Sequence, residues 1–279
     1  MKKGFIIAAV VLVSLGIILF VAALVVSGFN LRGSGSEERI TKEIIVDESF
    51  RDISIETTTA DIELKPSDNG SCRVVYDEVK NRSLNVVVED NTLKVKYADE
   101  RKWFDRITLW TTKLTVTVYL PASSFESVAV ASKTGDILIS DLEADNMALA
   151  VTTGDILLSS VRLSKDLSAA VTTGELTVSN LTCRNLNSDG STGDISLRSV
   201  TASKRMDLKR STGDVHFDKC DAADIKVKTS TGDVTGSLLS DKIFVAKSST
   251  GRVSVPDSAS GGQCEVTTST GDIKLQVIS

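Results

Sequence analysis

The chain has a single histidine, His216, and it contains no Cys-x-x-Cys pair and no histidine cluster. Catalytic sites of the Ser-His-Asp and Cys-His types need a histidine base, and structural zinc sites need several cysteine or histidine ligands. We therefore expect a protein that is not an enzyme and that holds neither a metal nor another cofactor.

Basic residues do not exceed acidic ones, since 32 lysines and arginines stand against 37 aspartates and glutamates, for a net charge of −5. A protein whose main partner is nucleic acid normally carries a strongly basic domain or patch. Proline is scarce as well, with three in the chain and only Pro256 in the last half. Because proline lacks the N–H that an interior strand needs, its scarcity suits a sheet-rich fold.

The last half of the chain is built from a repeat. The triplet Thr-Gly-Asp, or a close variant, occurs eight times at intervals of 19 or 20 residues, which is typical of a stacked repeat array. Glu175 and Arg252 replace the aspartate in two copies. The repeat residues predicted to be structural are Thr134, Gly135, Asp136, Thr153, Gly154, Asp155, Thr173, Gly174, Thr192, Gly193, Asp194, Thr212, Gly213, Asp214, Thr231, Gly232, Asp233, Thr270, Gly271 and Asp272.

Apolar and polar residues alternate on both sides of each glycine. The columns begin with Val128, Val130, Ile137, Ile139 and Leu142, and the column that starts at Leu142 runs to Leu239. Period-two alternation predicts strands with one buried face, and stacking joins those faces into one core. The sequence predicts an all-β fold, a parallel β-solenoid (β-helix) with coils about 4.8 Å apart. The handedness of the coil stays open.

The Thr-Gly-Asp unit has a structural and a functional interpretation. Glycine suits a bend with positive φ, aspartate can accept backbone N–H bonds there, and stacked threonines can form hydroxyl ladders. The alternative is calcium, because oxygen ligands suit that ion. Arg252 in the aspartate column argues against it.

The N-terminal region predicts a membrane anchor. Phe5–Val26 is uncharged and long enough to cross a bilayer as a helix, and Lys2 and Lys3 favour a cytoplasmic N-terminus. We expect an uncleaved signal-anchor, with a cleaved signal peptide as the alternative. The predicted parts are a cytoplasmic tail (1–4), a transmembrane helix (5–28), a linker (29–43), an irregular β region that starts or caps the solenoid (44–130), and the regular solenoid (131–279).

Two features of the irregular region stand out. Thr59–Ile62, Thr-Ala-Asp-Ile, looks like a degenerate repeat with alanine in the place of glycine. The charged segment 99–106 carries Trp103 and Phe104, which either fold back on the solenoid or contact a partner, because exposed aromatics beside arginine are typical of interfaces.

The cysteines fall mostly in inward columns, which favours buried thiols over disulfides. Cys183 and Cys220 would lie two coils apart, about 9–10 Å, beyond the reach of a disulfide. The four cysteines are Cys72, Cys183, Cys220 and Cys264, and a partner for Cys72 stays open.

Phe5–Val26, Thr59–Ile62, the strand end Val118–Pro121 and the serial Thr-Gly-Asp copies together resemble a bacterial family. It is a β-strand-repeat family of unknown function labelled "putative adhesin", which includes LiaG-type membrane-anchored envelope proteins. The resemblance carries over no catalytic residue. The apolar run and the N-terminal lysines predict a single-pass protein of the cell membrane with its C-terminal region outside the cytoplasm.

The sequence thus favours a surface binding or scaffold protein, adhesin-like or linked to envelope stress. Its expected partner is a cell-wall polymer or an envelope membrane protein, and not nucleic acid. The alternatives are a polysaccharide-acting β-helix enzyme, a calcium-binding rod, and self-association through the C-terminal coil. The last rests on the strand Ile273–Ile278 at the end of the chain, because an uncovered last strand leaves backbone groups unpaired.

Overall fold

This computed structural model describes residues 40–78, 82–99 and 114–278. In these ranges all of the regular secondary structure is β-strand. No helix in these ranges has the length and apolar character to span a membrane. The predicted transmembrane helix and the residues Trp103 and Phe104 lie outside the described residues. The strands are β1 (Ile40–Val46), β2 (Asp52–Thr57), β3 (Ala60–Pro66), β4 (Cys72–Glu78), β5 (Arg82–Glu89), β6 (Thr92–Asp99), β7 (Leu114–Leu120), β8 (Ser124–Thr134), β9 (Ile137–Thr153), β10 (Ile156–Leu163), β11 (Asp166–Thr173), β12 (Leu176–Thr192), β13 (Ile195–Thr212), β14 (Val215–Lys228), β15 (Val234–Leu238), β16 (Lys242–Thr250), β17 (Val253–Ser254), β18 (Gly262–Thr270) and β19 (Ile273–Val277).

Successive coils pair in parallel, in the register that the glycine alignment predicts. Ile156 of β10 lies between Ile137 of β9 and Leu176 of β12, so equivalent residues stack directly on one another. The inward columns form one continuous core in which most members are fully buried. The predicted all-β parallel solenoid is therefore confirmed.

Two members of the predicted core, Leu239 and Val253, are exposed instead, and Val253 lies in the short strand β17 at the end of the stack. Leu239 is 45% exposed, whereas Leu238 is fully buried in its place. Phe217 pairs with Gly236 but Cys220 pairs with Leu238, so β15 has one residue fewer than β14 across this corner. The missing residue shifts the alternation by one position, which turns Leu239 outward.

The alternation between 19 and 20 residues arises at a single corner of the coil. Arg162 pairs with Thr182, 20 positions later, but Asp166 pairs with Asn185, 19 positions later. The extra residue of this coil thus lies between Arg162 and Asp166. A surface corner absorbs an insertion without disturbing the pairing or the core on either side.

The order of the coils in the stack differs from their order along the chain at the C-terminal end. β14 and β15 pair with β18 and β19, and these in turn pair with β16 and β17. The last coil of the sequence is thereby inserted between two earlier coils, and the coil of β16 and β17 ends the stack. The expectation that Ile273–Ile278 forms an uncovered last strand is wrong, because β19 has strand neighbours on both sides.

A buried lysine ties the end coil to the rest of the stack. Lys242 of β16 is 2% exposed, and its Nζ lies 2.7 Å from Oδ1 of Asp221 in β14 and also contacts the Ser240 hydroxyl. Lys242 pairs with Gly262 of the inserted coil. The ion pair therefore links β16 to β14 across the inserted coil.

A second buried cation lies within the regular array. Arg210 is 4% exposed, and burial lowers the pKa of its guanidinium while nearby Asp189 opposes that shift. Its Nη1 donates a hydrogen bond to the Lys209 carbonyl at 3.0 Å. The neighbouring residue in β12 is Gly190, where a Cβ would lie 2.5 Å from Arg210 Nη1. Glycine thus leaves the space that the arginine fills.

The N-terminal end is also interleaved and is covered by antiparallel strands. β2 lies between β6 and β8, and β3 lies between β7 and β9, all in parallel. β4 and β5 pair antiparallel with β7 and β6, and β1 pairs antiparallel with β4. The described residues between 40 and 130 therefore contribute both coils of the stack and its covering strands.

Candidate functional site

The repeat glycines form a tightly stacked bend. All eight have φ between 120° and 152°, a conformation that residues with a Cβ rarely adopt. A Cβ on Gly174 would lie 2.0 Å from the carbonyl oxygen of Gly154 in the coil below. Glycine is thus required both by the conformation of the bend and by the close approach of the coils.

The aspartates join successive bends. Oδ1 of Asp136 accepts the backbone N–H of Asp155 at 2.9 Å, and six further steps show the same bond at 2.7–2.9 Å, beginning with Asp61 beside Ala60. At the end of the stack Arg252 donates its N–H to Asp272, and among the described residues no further coil follows that would need an acceptor.

These bonds favour the structural interpretation of the aspartates over a cation site. Each carboxylate that accepts a backbone N–H has one oxygen already engaged. In the described ranges no three acidic, cysteine or histidine side chains are grouped so as to hold a metal ion.

The predicted threonine hydroxyl ladder is wrong for the described residues. The repeat threonines contribute their carbonyls, as where Gly154 N donates to Thr173 O at 3.0 Å. The hydroxyls that bond to the bend come from the third residue before the glycine, and they reach the carbonyl at the glycine position of a neighbouring coil. These residues are Ser132, Thr229, Ser248 and Thr268.

A second corner lies six residues after each of the first five repeat glycines and holds residues with positive φ that are not glycine. Their φ values lie between 51° and 56°, and their side chains are exposed. Aspartate and asparagine tolerate this conformation best, whereas serine and lysine adopt it at a cost. The residues are Asp141, Ser160, Asn180, Ser199 and Lys219.

A groove of about 470 Å³ follows this corner across four coils. At about 4.8 Å per coil, the groove is about 14 Å long between its first and last corner residues. We call it the corner groove, lined by Asp141, Leu142, Glu143, Ser160, Arg162, Asn180, Thr182 and Ser199. It joins, through residues 141–143, a more apolar pocket of about 400 Å³ lined by Lys65, Pro66, Leu120–Phe125 and Ser140.

The corner groove presents polar groups that are not used within the fold. Glu143 and Arg162 pair with each other at 2.9 Å and so neutralise one another. In the described part of the chain, the side chains of Ser160, Asn180 and Thr182 form no hydrogen bond. Hydroxyl and amide groups can both donate and accept, so the groove offers a row of free partners at the spacing of the coils.

The sequence interpretation missed this groove. It identified inward columns and the Thr-Gly-Asp bend, but it did not separate the column six residues after glycine from other outward positions. The signal is the run of small polar side chains in that column, which includes Asp141 and Asn180, two residue types that favour positive φ.

The other residues identified from the sequence lie away from the groove. His216 is exposed, with Nδ1 3.1 Å from the Thr235 hydroxyl. All four cysteines are free and buried, as predicted for Cys183, Cys220 and Cys264. Burial raises the pKa of Cys72 and Cys220 to about 11 and of Cys183 and Cys264 to about 12.

Two solved bacterial structures have a similar fold. A "putative adhesin" of Bacteroides fragilis NCTC 9343 has 16% identity and a TM-score of 0.54, covering 86% of this chain and 98% of that one. A "putative lipid binding protein" of Parabacteroides distasonis ATCC 8503 has 17% identity and a TM-score of 0.54, covering 88% and 98%. No curated protein matches the chain. The family model Toastrack DUF4097 matches residues 50–277, and this chain therefore belongs to that family.

Proposed function

We propose that the protein is a non-enzymatic binding and scaffold protein of the cell envelope. Residues 5–28 would anchor it in the membrane, and the solenoid would stand outside the cytoplasm in the manner of an adhesin or an envelope-stress component. The anchor rests on the uncharged apolar run of the sequence. The binding role rests on the corner groove.

We assign a hydroxyl-rich cell-wall polymer to the corner groove. The observation that carries this proposal is the row of free hydroxyl and amide groups repeated coil by coil along an open groove. A linear polymer repeats its own hydroxyl groups, so it can meet such a row through many similar hydrogen bonds. Glu143 and Arg162 neutralise one another, so Asp141 is the one remaining charge among the described residues that line the groove, which suits an uncharged polymer better than a polyanion.

The first test compares the binding of two full-length proteins to purified peptidoglycan sacculi: the unaltered chain and a variant whose groove has lost its polar side chains. In the triple variant Ser160→Gly, Asn180→Gly, Ser199→Gly, glycine keeps the positive φ while the polar groups are removed. At about 1 kcal/mol per hydrogen bond, we expect binding to weaken roughly 100-fold.

The control variant, Ser168→Ala with Asn187→Ala, removes exposed polar groups from β11 and β12 outside the groove and should bind as the unaltered chain does. Equal binding by all three proteins would remove the groove from the proposal. If the unaltered chain shows no saturable binding to sacculi, the wall polymer is not the ligand of the groove. The remaining proposed partner is then an envelope membrane protein that contacts Trp103 and Phe104.

A polysaccharide-acting enzyme is a second candidate because Asp141 and Glu143 line the same groove. Paired carboxylates are the usual catalytic groups for glycoside hydrolysis. Release of new reducing ends from sacculi by the full chain, abolished in Asp141→Asn, would establish this activity. Binding without release supports the scaffold role.

A further inference from the structure

β16 forms an open edge at the end of the stack. In the described part of the chain its only strand partner is β18, through eight residue pairs, Lys242 with Gly262 to Thr250 with Thr270. The opposite side of β16 therefore presents unpaired N–H and C=O groups. Such an edge is a template for another strand unless it is covered.

Apolar side chains concentrate at this end. Among the described residues, three of the eight large apolar side chains that are exposed lie in the end coil, namely Ile243, Val245 and Val253. Phe244 and Ala246, which point into the core, are only partly buried, while their neighbours Cys264 and Val266 are fully buried. The core is thus left incomplete at β16.

The charges along this edge are self-complementary. Asp241, Ile243, Val245 and Lys247 are all exposed on the outward side, and in the described ranges the side chains of Asp241 and Lys247 form no ion pair or hydrogen bond. If an identical strand runs antiparallel with its centre at Phe244, Asp241 faces Lys247 twice and Ile243 faces Val245 twice. Opposite charges and apolar pairs in directly facing positions stabilise an antiparallel ladder.

We propose that a second copy of this chain docks on β16, about a two-fold axis at Phe244. The two solenoids would then share one continuous sheet, with the two Phe244 rings completing a joint core. The contact is isologous, so it closes at two copies and does not grow into a fibre. The self-complementary charges and apolar pairs of β16 favour a second copy of this chain as the occupant of the edge. The dimer does not depend on the corner groove.

The test exchanges the charges at positions 241 and 247. The dimer dissociation constant of each full-length variant is then measured by analytical ultracentrifugation over a range of concentrations. Asp241→Lys and Lys247→Asp each place like charges in both facing pairs and should raise the dimer dissociation constant roughly tenfold. The double variant restores both pairs in reversed order and should return the dissociation constant to that of the unaltered chain. Urea midpoints of the three variants, measured below the dimer range, show whether the fold is intact.

Three results would overturn the proposal. One is a chain that remains monomeric at every attainable concentration. The second is a dimer whose dissociation constant is changed by neither single substitution. The third is a double variant whose dissociation constant stays as high as those of the single variants. A monomeric chain whose β16 amides become protected only on addition of an envelope extract would assign the edge to a strand of another protein.

Discussion

We expect Gly174→Ala to lower the free energy of unfolding far more than Gly70→Ala, although both glycines have positive φ. Gly70 has φ 73° and nothing within 4 Å of the position of a Cβ. At that position, the strain of a left-handed alanine is about 1 kcal/mol, and reduced freedom of the unfolded chain offsets part of it. Gly174 has φ 139°, and its Cβ would lie 2.0 Å from the backbone oxygen of Gly154.

The cost at Gly174 has two parts. The backbone conformation is nearly restricted to glycine and costs about 1–3 kcal/mol with alanine. Moving the coils apart also strains the bonds from Gly154 N to Thr173 O and from Glu175 N to Asp155 Oδ1, each worth about 1 kcal/mol. We therefore expect a loss of about 4 kcal/mol for Gly174→Ala against about 1 kcal/mol or less for Gly70→Ala.

Urea denaturation followed by circular dichroism measures the free energy of unfolding of both variants. Hydrogen exchange checks whether the loss is local, because repeat proteins can unfold in parts. Equal costs for the two substitutions would refute the argument that close stacking of the bends, rather than backbone conformation alone, requires glycine.

Three further predictions follow from the stack order and from burial. A chain ending at Gly261 should lose amide protection throughout 242–254, because that coil pairs only with the deleted one in the described ranges; retained protection would contradict the interleaved order. Lys242→Met should destabilise the fold by about 1–3 kcal/mol by leaving the Asp221 carboxylate half-buried without its partner, whereas exposed Lys247→Met at high dilution should change the urea midpoint little. The cysteines should resist iodoacetamide at pH 8 until urea unfolds the chain. Their pKa values are higher in the folded than in the unfolded state, so stability should fall as pH rises above their ordinary value of 9.0, and rapid alkylation of the folded chain would contradict their burial.

The architecture could be predicted from the sequence because its signal is repeated in every coil. Eight copies of the same alternation identify the inward columns, and a single misplaced residue such as Leu239 does not hide them. The bend could also be predicted, since glycine and aspartate each suit it for a physical reason, whereas the hydroxyl ladder expected of threonine is wrong. The bonding partners could not, because a carboxylate and a backbone N–H of the next coil meet only once the register is known.

The stack order could not be predicted from alternation, because the coils 242–254 and 262–277 carry similar apolar patterns and either could follow β14 and β15. Two residues distinguish them. Arg252 can donate its N–H to the aspartate column but cannot accept from a further coil, which suits the end of the stack. Gly262 has no room for a Cβ, which would lie 1.6 Å from the carbonyl oxygen of Ala223 in β14, and this suits a position directly beside that strand. The two residues indicate the order of the coils only once the three-dimensional arrangement is known.

The corner groove depends on local backbone conformation, which the pattern of apolar residues does not report. Asp141 and Asn180 favour positive φ by type, but Ser160, Ser199 and Lys219 do not, so the column shows no uniform residue preference. The groove also needs the neighbouring coils in register, and that register again follows from the stack.

The most direct test of the account is hydrogen exchange of the full-length chain with and without soluble peptidoglycan fragments. If the corner groove binds the polymer, the fragments slow amide exchange in peptides covering residues 140–143, 159–162 and 179–182. In the Ser160→Gly, Asn180→Gly, Ser199→Gly variant this protection is lost. Protection confined to other faces of the solenoid, or unchanged exchange at saturating fragment, would contradict the claim that the corner groove is the binding surface.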